Sequence, residues 1–400
     1  MKIVQINAVY RFGSTGRTTE EFHRYCKSHG IGSYVFCPNM ADPDDDVYRI
    51  GNMMDHKIHA VASRLTGRQA CFSHFATGKL IDRLDEINPD AVVLRNLHGN
   101  YIDLPMLLSY LARRDILTLP VLHDCWFFTG HCTHYTAHKC YKWQSECGGC
   151  PLIKEDNASL FFDTSKSMFN LKKSLFGAIP RVGVIGVSDW ITGQGRESVV
   201  FRKSRSFETV YNWIDLKKFY PRETSGLREQ LHLGDDFVVL GVAQGWSWRK
   251  GLGHYVALAR SMPDIKIILI GSIEEKIELP SNIITPGSTD SIDQLAEYYS
   301  LADVLLVCSV QETFGKVSAE ALACGTPVIA NNATANPEIP GPDCGLFVDN
   351  NDPVQIVDAI KQIKDRGKAY YSQACIRRAT TEFSKDIQIS KYIRFIEKLI

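Results

Sequence analysis

The sequence predicts an α/β protein of two doubly wound domains, each a parallel sheet covered by helices. Its 400 residues, at roughly 100–200 per domain, divide naturally into two halves of about 200. Short apolar runs punctuated by glycine alternate with helical patterns, as strand-helix units and buried parallel strands do. Two series of such runs flank a turn-rich connector, so a second sheet is expected.

In the first half the expected strands are residues 3–9, 33–37, 91–94, 118–122 and 182–187. In the second they are 237–243, 266–270, 304–308 and 327–330. Tyr211-Asn212-Trp213-Ile214-Asp215 and Phe219-Tyr220-Pro221 form the connector, which sets one domain over 1–205 and the other over 206–385. Residues 386–400 carry apolar side chains at helical spacing with no strand after them. They are expected either to pack back across the junction or to form a plain terminal helix.

Composition narrows the class. With 44% hydrophobic and 22% charged residues, 29 Gly and 16 Pro, the chain is neither disordered, collagen-like nor a coiled coil. No run approaches the roughly 18 apolar residues of a membrane span. The opening Met1-Lys2-Ile3-Val4-Gln5-Ile6 enters a strand directly without a signal-peptide pattern, so a cytoplasmic address is expected. Basic and acidic residues balance at 45 each, which gives no support to nucleic-acid binding. The halves differ in sign: 25 basic against 20 acidic over 1–205, and the reverse after it. Such a difference arises readily by chance, and it also suits a first half that meets an anionic acceptor or membrane surface.

The most informative stretch follows the strand at 304–308 and reads Glu312-Thr313-Phe314-Gly315-Lys316-Val317-Ser318-Ala319-Glu320-Ala321-Leu322-Ala323-Cys324-Gly325-Thr326-Pro327-Val328-Ile329-Ala330. A helix starting near Gly315 would aim its unpaired amides at the carboxyl edge of the sheet, where a phosphate can sit. Seven residues separate Glu312 at the turn from Glu320 on the helix, so each carboxylate can accept from a different hydroxyl of one ligand. The plain alternative is a helix cap and a solvated glutamate.

This stretch resembles the E-x7-E segment of retaining glycosyltransferases of family 4, which have the two-domain GT-B fold with Rossmann-like halves facing across a cleft. The resemblance covers most of the second half, with weaker echoes in the first. It implies that Glu312 contacts the donor sugar, that Glu320 binds the ribose of the nucleotide, and that the amides of Phe314, Gly315, Lys316 and Val317 line the sugar and diphosphate. Lys316 departs from the family, which has an apolar residue there.

After the strand at 237–243 comes Gly245-Trp246-Ser247-Trp248-Arg249-Lys250-Gly251-Leu252. Two adjacent cations on a glycine-bounded loop ahead of a helix suit a diphosphate leaving group. The family places such a basic step at this point, which favours Arg249 and above all Lys250 over solvated surface. Family members often carry a Gly-Arg pair slightly earlier, where this chain has Ala243-Gln244. In the first half, the turn before the first helix contains Gly13 and Ser14. Its spacing does not fit G-x-G-x-x-G, and the resemblance places this loop in the cleft facing the acceptor and the donor diphosphate, with Gly13 and Ser14 as donor-binding residues. His123 ends the strand at 118–122, where ligands collect in α/β folds, and the family has a histidine near the donor sugar there. His98, in Asn96-Leu97-His98-Gly99-Asn100-Tyr101, is an acceptor-side candidate. Together with His123-Asp124-Cys125-Trp126 it is similar to the exopolysaccharide and colanic-acid branch.

Of the twelve cysteines, eight are scattered, as small core residues are. Four crowd together: Cys132, Cys140, Cys147 and Cys150. Only Cys147 and Cys150 have the two-residue gap of a zinc knuckle, and a structural zinc closing this loop is the sharper expectation beside ordinary reduced thiols. Residues 165–176 alternate lysines with Met168, Phe169, Leu171, Leu175 and Phe176. They read as a solvated amphipathic helix or, more sharply, as contact with an anionic membrane or a lipid-linked acceptor.

The resemblance implies a retaining, hexosyltransferase-type enzyme. It would move a sugar from a UDP- or GDP-sugar to a glycan acceptor, lipid-linked, in cell-surface polysaccharide synthesis at the inner membrane face, with no cofactor for catalysis. Same-face attack, with the leaving phosphate taking the acceptor's proton, comes from the resemblance alone. A non-catalytic sugar-nucleotide-binding protein and a sugar-nucleotide epimerase are the alternatives.

Overall fold

A computed structural model describes residues 1–40, 44–155 and 157–400, apart from the side chain of Arg249. The chain forms two compact units, Met1–Val210 with Ile389–Ile400, and Tyr211–Gln388.

The first unit runs β1 (Lys2–Ile6), β2 (Val9–Tyr10), α1 (Gly13–Ser28), β3 (Gly32–Cys37), β4 (Asn39–Met40), β5 (Val47–Arg49), α2 (Met53–Thr66), α3 (His74–Ile87), β6 (Ala91–Leu94), α4 (Leu104–Arg113), β7 (Leu117–Leu122), α5 (Ser165–Ala178), β8 (Gly183–Gly186), α6 (Asp189–Glu197) and β9 (Ser206–Thr209). Among the described residues its main sheet is parallel, in the order β5-β3-β1-β6-β7-β8-β9. Ala91, Val92, Val93 and Leu94 are all fully buried, as a strand covered on both faces requires. The chain moves outward from β1 to β5 and then returns to β6 on the other side of β1. The crevice where ligands bind in such sheets therefore lies at the carboxyl ends of β1 and β6.

The second unit contains α7 (Ser225–Gln230), β10 (Phe237–Trp246), α8 (Leu252–Ser261), β11 (Ile265–Ile273), β12 (Ile283–Gly287), α9 (Ile292–Leu301), β13 (Val304–Val307), α10 (Lys316–Ala323), β14 (Val328–Asn331), β15 (Gly345–Val348), α11 (Pro353–Arg366), α12 (Lys368–Glu382) and the start of α13 (Lys385–Leu399). Its sheet is again parallel, in the order β12-β11-β10-β13-β14-β15. Its switch point falls between β10 and β13.

Several boundaries differ from the sequence expectation. The first unit extends past 205 because β9 pairs in parallel with β8. The division at 210 and 211 falls where the turn-rich connector was expected, and residues 211–215 are packed there: Trp213 and Ile214 are buried, and the Ile214 amide donates to the Phe383 carbonyl at 2.8 Å. The strand expected over 3–9 stops at Ile6, where Asn7 Nδ2 turns to donate to the Val9 carbonyl and Thr19 Oγ1. The strand expected over 237–243 continues through a register irregularity to Trp246, whose indole N–H bonds to the Ile270 carbonyl at 2.9 Å. The edge strands β5, β9, β12 and β15 escaped the sequence reading because short, partly exposed strands carry no continuous apolar run. From Ile389 onward α13 belongs to the first unit, not from 386: the Tyr392 ring stands 4.7 Å from that of Phe22.

The membrane reading of residues 165–176 is corrected. Met168, Phe169 and Phe176 of α5 are buried, so the apolar face of that helix is its core face. Among the described residues no helix is long and apolar enough to cross a membrane.

Candidate functional site

The switch point of the second unit brings two loops together. The loop after β10 ends in a single 3-10 turn, Trp248–Lys250, then Gly251 at φ +87°, where a side chain would be strained and its Cβ would stand 3.1 Å from Cys308. Close packing thus ties this loop to the end of β13. Lys250 is exposed. After β13 the chain passes through Glu312 and Gly315, the latter at φ +79° directly before α10 with no side-chain cap. The Ser318 amide turns back to the Gly315 carbonyl at 3.0 Å, and the Lys316 and Val317 amides ahead of it, with no side-chain cap, are the ones left for a partner. Phe314 is buried, its ring 5.5 Å from Phe383, while Lys316 and Val317 are half-buried.

Glu312 is fixed through its backbone, its amide donating to Thr334 Oγ1 at 3.0 Å and its carbonyl accepting from Ala335 at 3.2 Å. Burial pushes its carboxyl above the usual carboxylate range, against the opposing effects of the Ser309 hydroxyl and the Lys250 ammonium. The charge of Lys250, 62 residues away in sequence, thus reaches Glu312. Glu320, on α10, is buried and accepts from the Tyr299 hydroxyl at 2.9 Å. Tyr299 itself went unremarked in the sequence; its only signal is an aromatic pair at the end of an amphipathic helix.

In the first unit, Gly13 (φ +64°) and Ser14 open α1 and are exposed. Gly16 lets α1 approach the preceding turn, since a Cβ there would lie 3.3 Å from the Arg11 amide. His123 follows β7, and its Nε2 lies 3.1 Å from Arg95 Nη1. A guanidinium only donates, so this ring nitrogen accepts. Burial and the neighbouring Arg95 charge hold His123 down to about 3, despite Asp124, and it is a neutral imidazole at physiological pH. Arg95, at the end of β6, is buried and also donates to Gln5 Oε1 at 3.1 Å. His98 Nε2 sits 2.9 Å from Asp124 Oδ2. Burial alone would raise Asp124, but His98 and the Trp126 amide bring it below the usual carboxylate range. Arg95 and Asp124 were missed in the sequence reading. Arg95 had a signal, a cation placed directly after a fully apolar strand.

Cys132, Cys140, Cys147 and Cys150 line one cavity of about 20 Å³, and the Gly130 amide donates to Cys147 Sγ at 3.3 Å. Among the described residues no three His, Cys, Asp or Glu side chains are assembled to hold a metal ion. The eight scattered cysteines are all buried.

Comparison with known proteins fits this architecture. Residues 238–365, inside the second unit, match the family described as glycosyl transferases group 1. Over 206 residues the chain is 27% identical to D-inositol 3-phosphate glycosyltransferase of Mycobacteroides abscessus, covering 47% of this chain and 46% of the relative. It is 26% identical over 196 residues to N-acetyl-alpha-D-glucosaminyl L-malate synthase of Bacillus anthracis, covering 46% and 50%. The chain spans about half the length of the curated relatives it matches. Among solved structures, Anabaena HepE in complex with UDP superimposes with a TM-score of 0.70 at 15% identity, covering all of both chains. The fold is GT-B.

Proposed function

We propose that this chain is a retaining glycosyltransferase that transfers a hexose from a UDP- or GDP-sugar to a lipid-linked glycan acceptor in cell-surface polysaccharide synthesis. The observation that carries the reading is the switch point of the second unit, where Lys250, the open first turn of α10 and the half-buried Glu312 converge. Lys250 and the α10 amides would hold the diphosphate and stabilise the charge that grows on it as the sugar leaves. Arg249, by its place in sequence, would assist. Glu312 would accept from the sugar's hydroxyls and Glu320 from the ribose. The neutral His123 has no proton to give as a cation, so its part is hydrogen bonding to sugar hydroxyls, with Gly13 and Ser14 beside the donor and His98 on the acceptor side. Anabaena HepE, which shares this fold, has been solved with UDP and with UDP-glucose, which supports a nucleotide-sugar donor and favours the UDP form.

Thermal shift against UDP- and GDP-sugars tests donor binding, since a ligand at 100 times its Kd adds about 2.7 kcal/mol. Slow release of sugar and nucleoside diphosphate without acceptor is expected of a transferase, and the anomeric configuration of the product by NMR tests retention. Stabilisation without release would instead indicate a binding protein, and an altered sugar nucleotide an epimerase.

For the cysteine loop we propose a structural zinc. Four thiolates are a ligand set zinc prefers, and Cys132, Cys140, Cys147 and Cys150 already share one cavity, although the set must still close. Elemental analysis is expected to find one zinc per chain, lost with Cys147→Ser. Its absence from purified protein would leave ordinary thiols. Transfer does not pass through this metal.

A further inference from the structure

Helix α2 is inverted. It buries its polar residues His59 (0% exposed) and Ser63 (5%), with His59 Nδ1 bonded to Ser73 Oγ at 2.6 Å and Ser63 Oγ donating to the Arg68 carbonyl at 3.1 Å. Outward it presents Met54 (64%), Ile58 (60%), Val61 (57%) and Leu65 (42%). Steps of four, three and four residues make these one stripe along the helix. A water-soluble surface does not ordinarily carry such a stripe.

A second segment extends it. The Leu160 amide donates to the Arg64 carbonyl at 2.7 Å, and Thr164 Oγ1 to the Gly67 carbonyl at 2.6 Å. These bonds fasten the segment to the last turn of α2 while Leu160, Phe161 and Phe162 remain exposed. Ser159 Oγ donates to the Phe162 carbonyl at 2.7 Å and holds the turn closed. The two phenylalanines therefore project from a loop fixed through its backbone.

The charges around this patch select its occupant. Lys57, Arg64 and Arg68 are exposed on and just beyond α2, and none has an ion-pair partner among the described residues. The nearby acids are engaged: Asp55 closes the α2 capping box, and Asp163 accepts from the Cys150 and Ser165 amides. Next to the first turn of α2 opens a cavity of about 420 Å³ lined in part by Arg49, Lys79, the exposed Phe75, Asp55 and Arg83, the last paired with Glu86. An apolar stripe bordered by unpaired cations matches the headgroup region of an anionic bilayer.

We propose that α2 and the loop at 160–162 form the membrane-docking surface of this protein, with α2 lying in the plane of an anionic leaflet. It gives the membrane contact of the proposed function a location, yet it stands on this surface and not on the donor site. Apolar side chains would enter the acyl boundary while Lys57, Arg64 and Arg68 remain at headgroup level.

Vesicle co-sedimentation of the full chain tests the proposal, with phosphatidylglycerol–phosphatidylcholine vesicles against phosphatidylcholine alone. Anionic vesicles are expected to bind the protein, with affinity falling as salt rises. Ile58→Glu with Val61→Glu should reduce binding at least tenfold, and Lys57→Glu with Arg64→Glu should remove the preference for anionic lipid. Both pairs are exposed, so thermal stability and the donor-induced shift should be unchanged. No vesicle binding, or binding indifferent to both pairs, overturns the proposal. So does a concentration-dependent dimer in light scattering that Ile58→Glu with Val61→Glu dissolves, because the patch would then face a second copy. Vesicle binding by a protein that never releases sugar would sink the transferase reading and leave the docking surface standing.

Discussion

The two units share one strand order about their switch points, with the first adding an edge strand, and treat those points in opposite ways. In the second, the loops after β10 and β13 leave a lysine and an uncapped helix start open, beside a carboxylate that burial has pushed upward. In the first, the space after β1 and β6 is filled from within: Arg95 reaches from the end of β6 to Gln5 on β1 and on to His123. A sheet order that gathers ligands at its carboxyl edge does not decide their charge. On the proposed function, the second unit would receive an anion. The first already holds its own cation in Arg95 and ties its carboxylate, Asp124, to His98 and the Trp126 amide, which would suit uncharged hydroxyls.

Glu312→Gln should break the second site most severely. It retains shape and hydrogen bonding but removes the charge. Transfer is expected to fall by about 10²–10³, as when one transition-state contact is lost, with the donor-induced thermal shift retained. Near-normal turnover would remove Glu312 from the chemistry.

The first unit is probed through His123. Its folded value of about 3 lies below the ordinary 6.5, so between those limits the unfolded chain takes up a proton that the folded chain refuses. Stability should therefore rise with pH across that window, by up to about 1.4 kcal/mol per pH unit. His123→Gln should flatten this acid limb by one proton in urea titrations. Arg95→Met removes the neighbouring charge and should move the His123 titration upward by NMR. An unmoved titration would show that burial alone holds it down.

Lys250→Ala isolates the open cation. Because Lys250 is exposed, its loss should weaken free nucleoside diphosphate only about tenfold, near 1.4 kcal/mol, with little change in stability. Unchanged affinity by calorimetry would place Lys250 outside the site and undo the contrast between the units.

How much of this could be read in the sequence follows the same division. The central strands of both sheets were legible because burial on both faces leaves continuous apolar runs such as Ala91-Val92-Val93-Leu94. The loops of the second site were legible because glycine, cation and carboxylate sit in contiguous stretches. The Arg95–His123 and His98–Asp124 pairs were not, since each joins residues 28 and 26 positions apart whose types are also common on surfaces. Amphipathic helices showed a further limit. Periodicity marks α5 and α2 alike as two-faced but does not say which face turns inward, and α5 buries the apolar face that α2 exposes.

The smallest expected effect concerns stability at the second site. Burial raises Glu312 above its ordinary value of 4.5, so the unfolded chain loses its proton at lower pH than the folded chain does. Stability is then unaffected below the unfolded value, declines as pH climbs from there to the folded value, and stays at the lower level above it. Glutamine carries no such charge. Glu312→Gln should therefore melt slightly above the wild-type protein at neutral pH, with the gap narrowing as pH falls through the raised folded value and gone below the ordinary value of 4.5. A variant less stable at neutral pH would mean that Ser309 and Lys250 already outweigh the burial. The second switch point would then be a satisfied ion pair, as self-contained as the Arg95 network of the first unit.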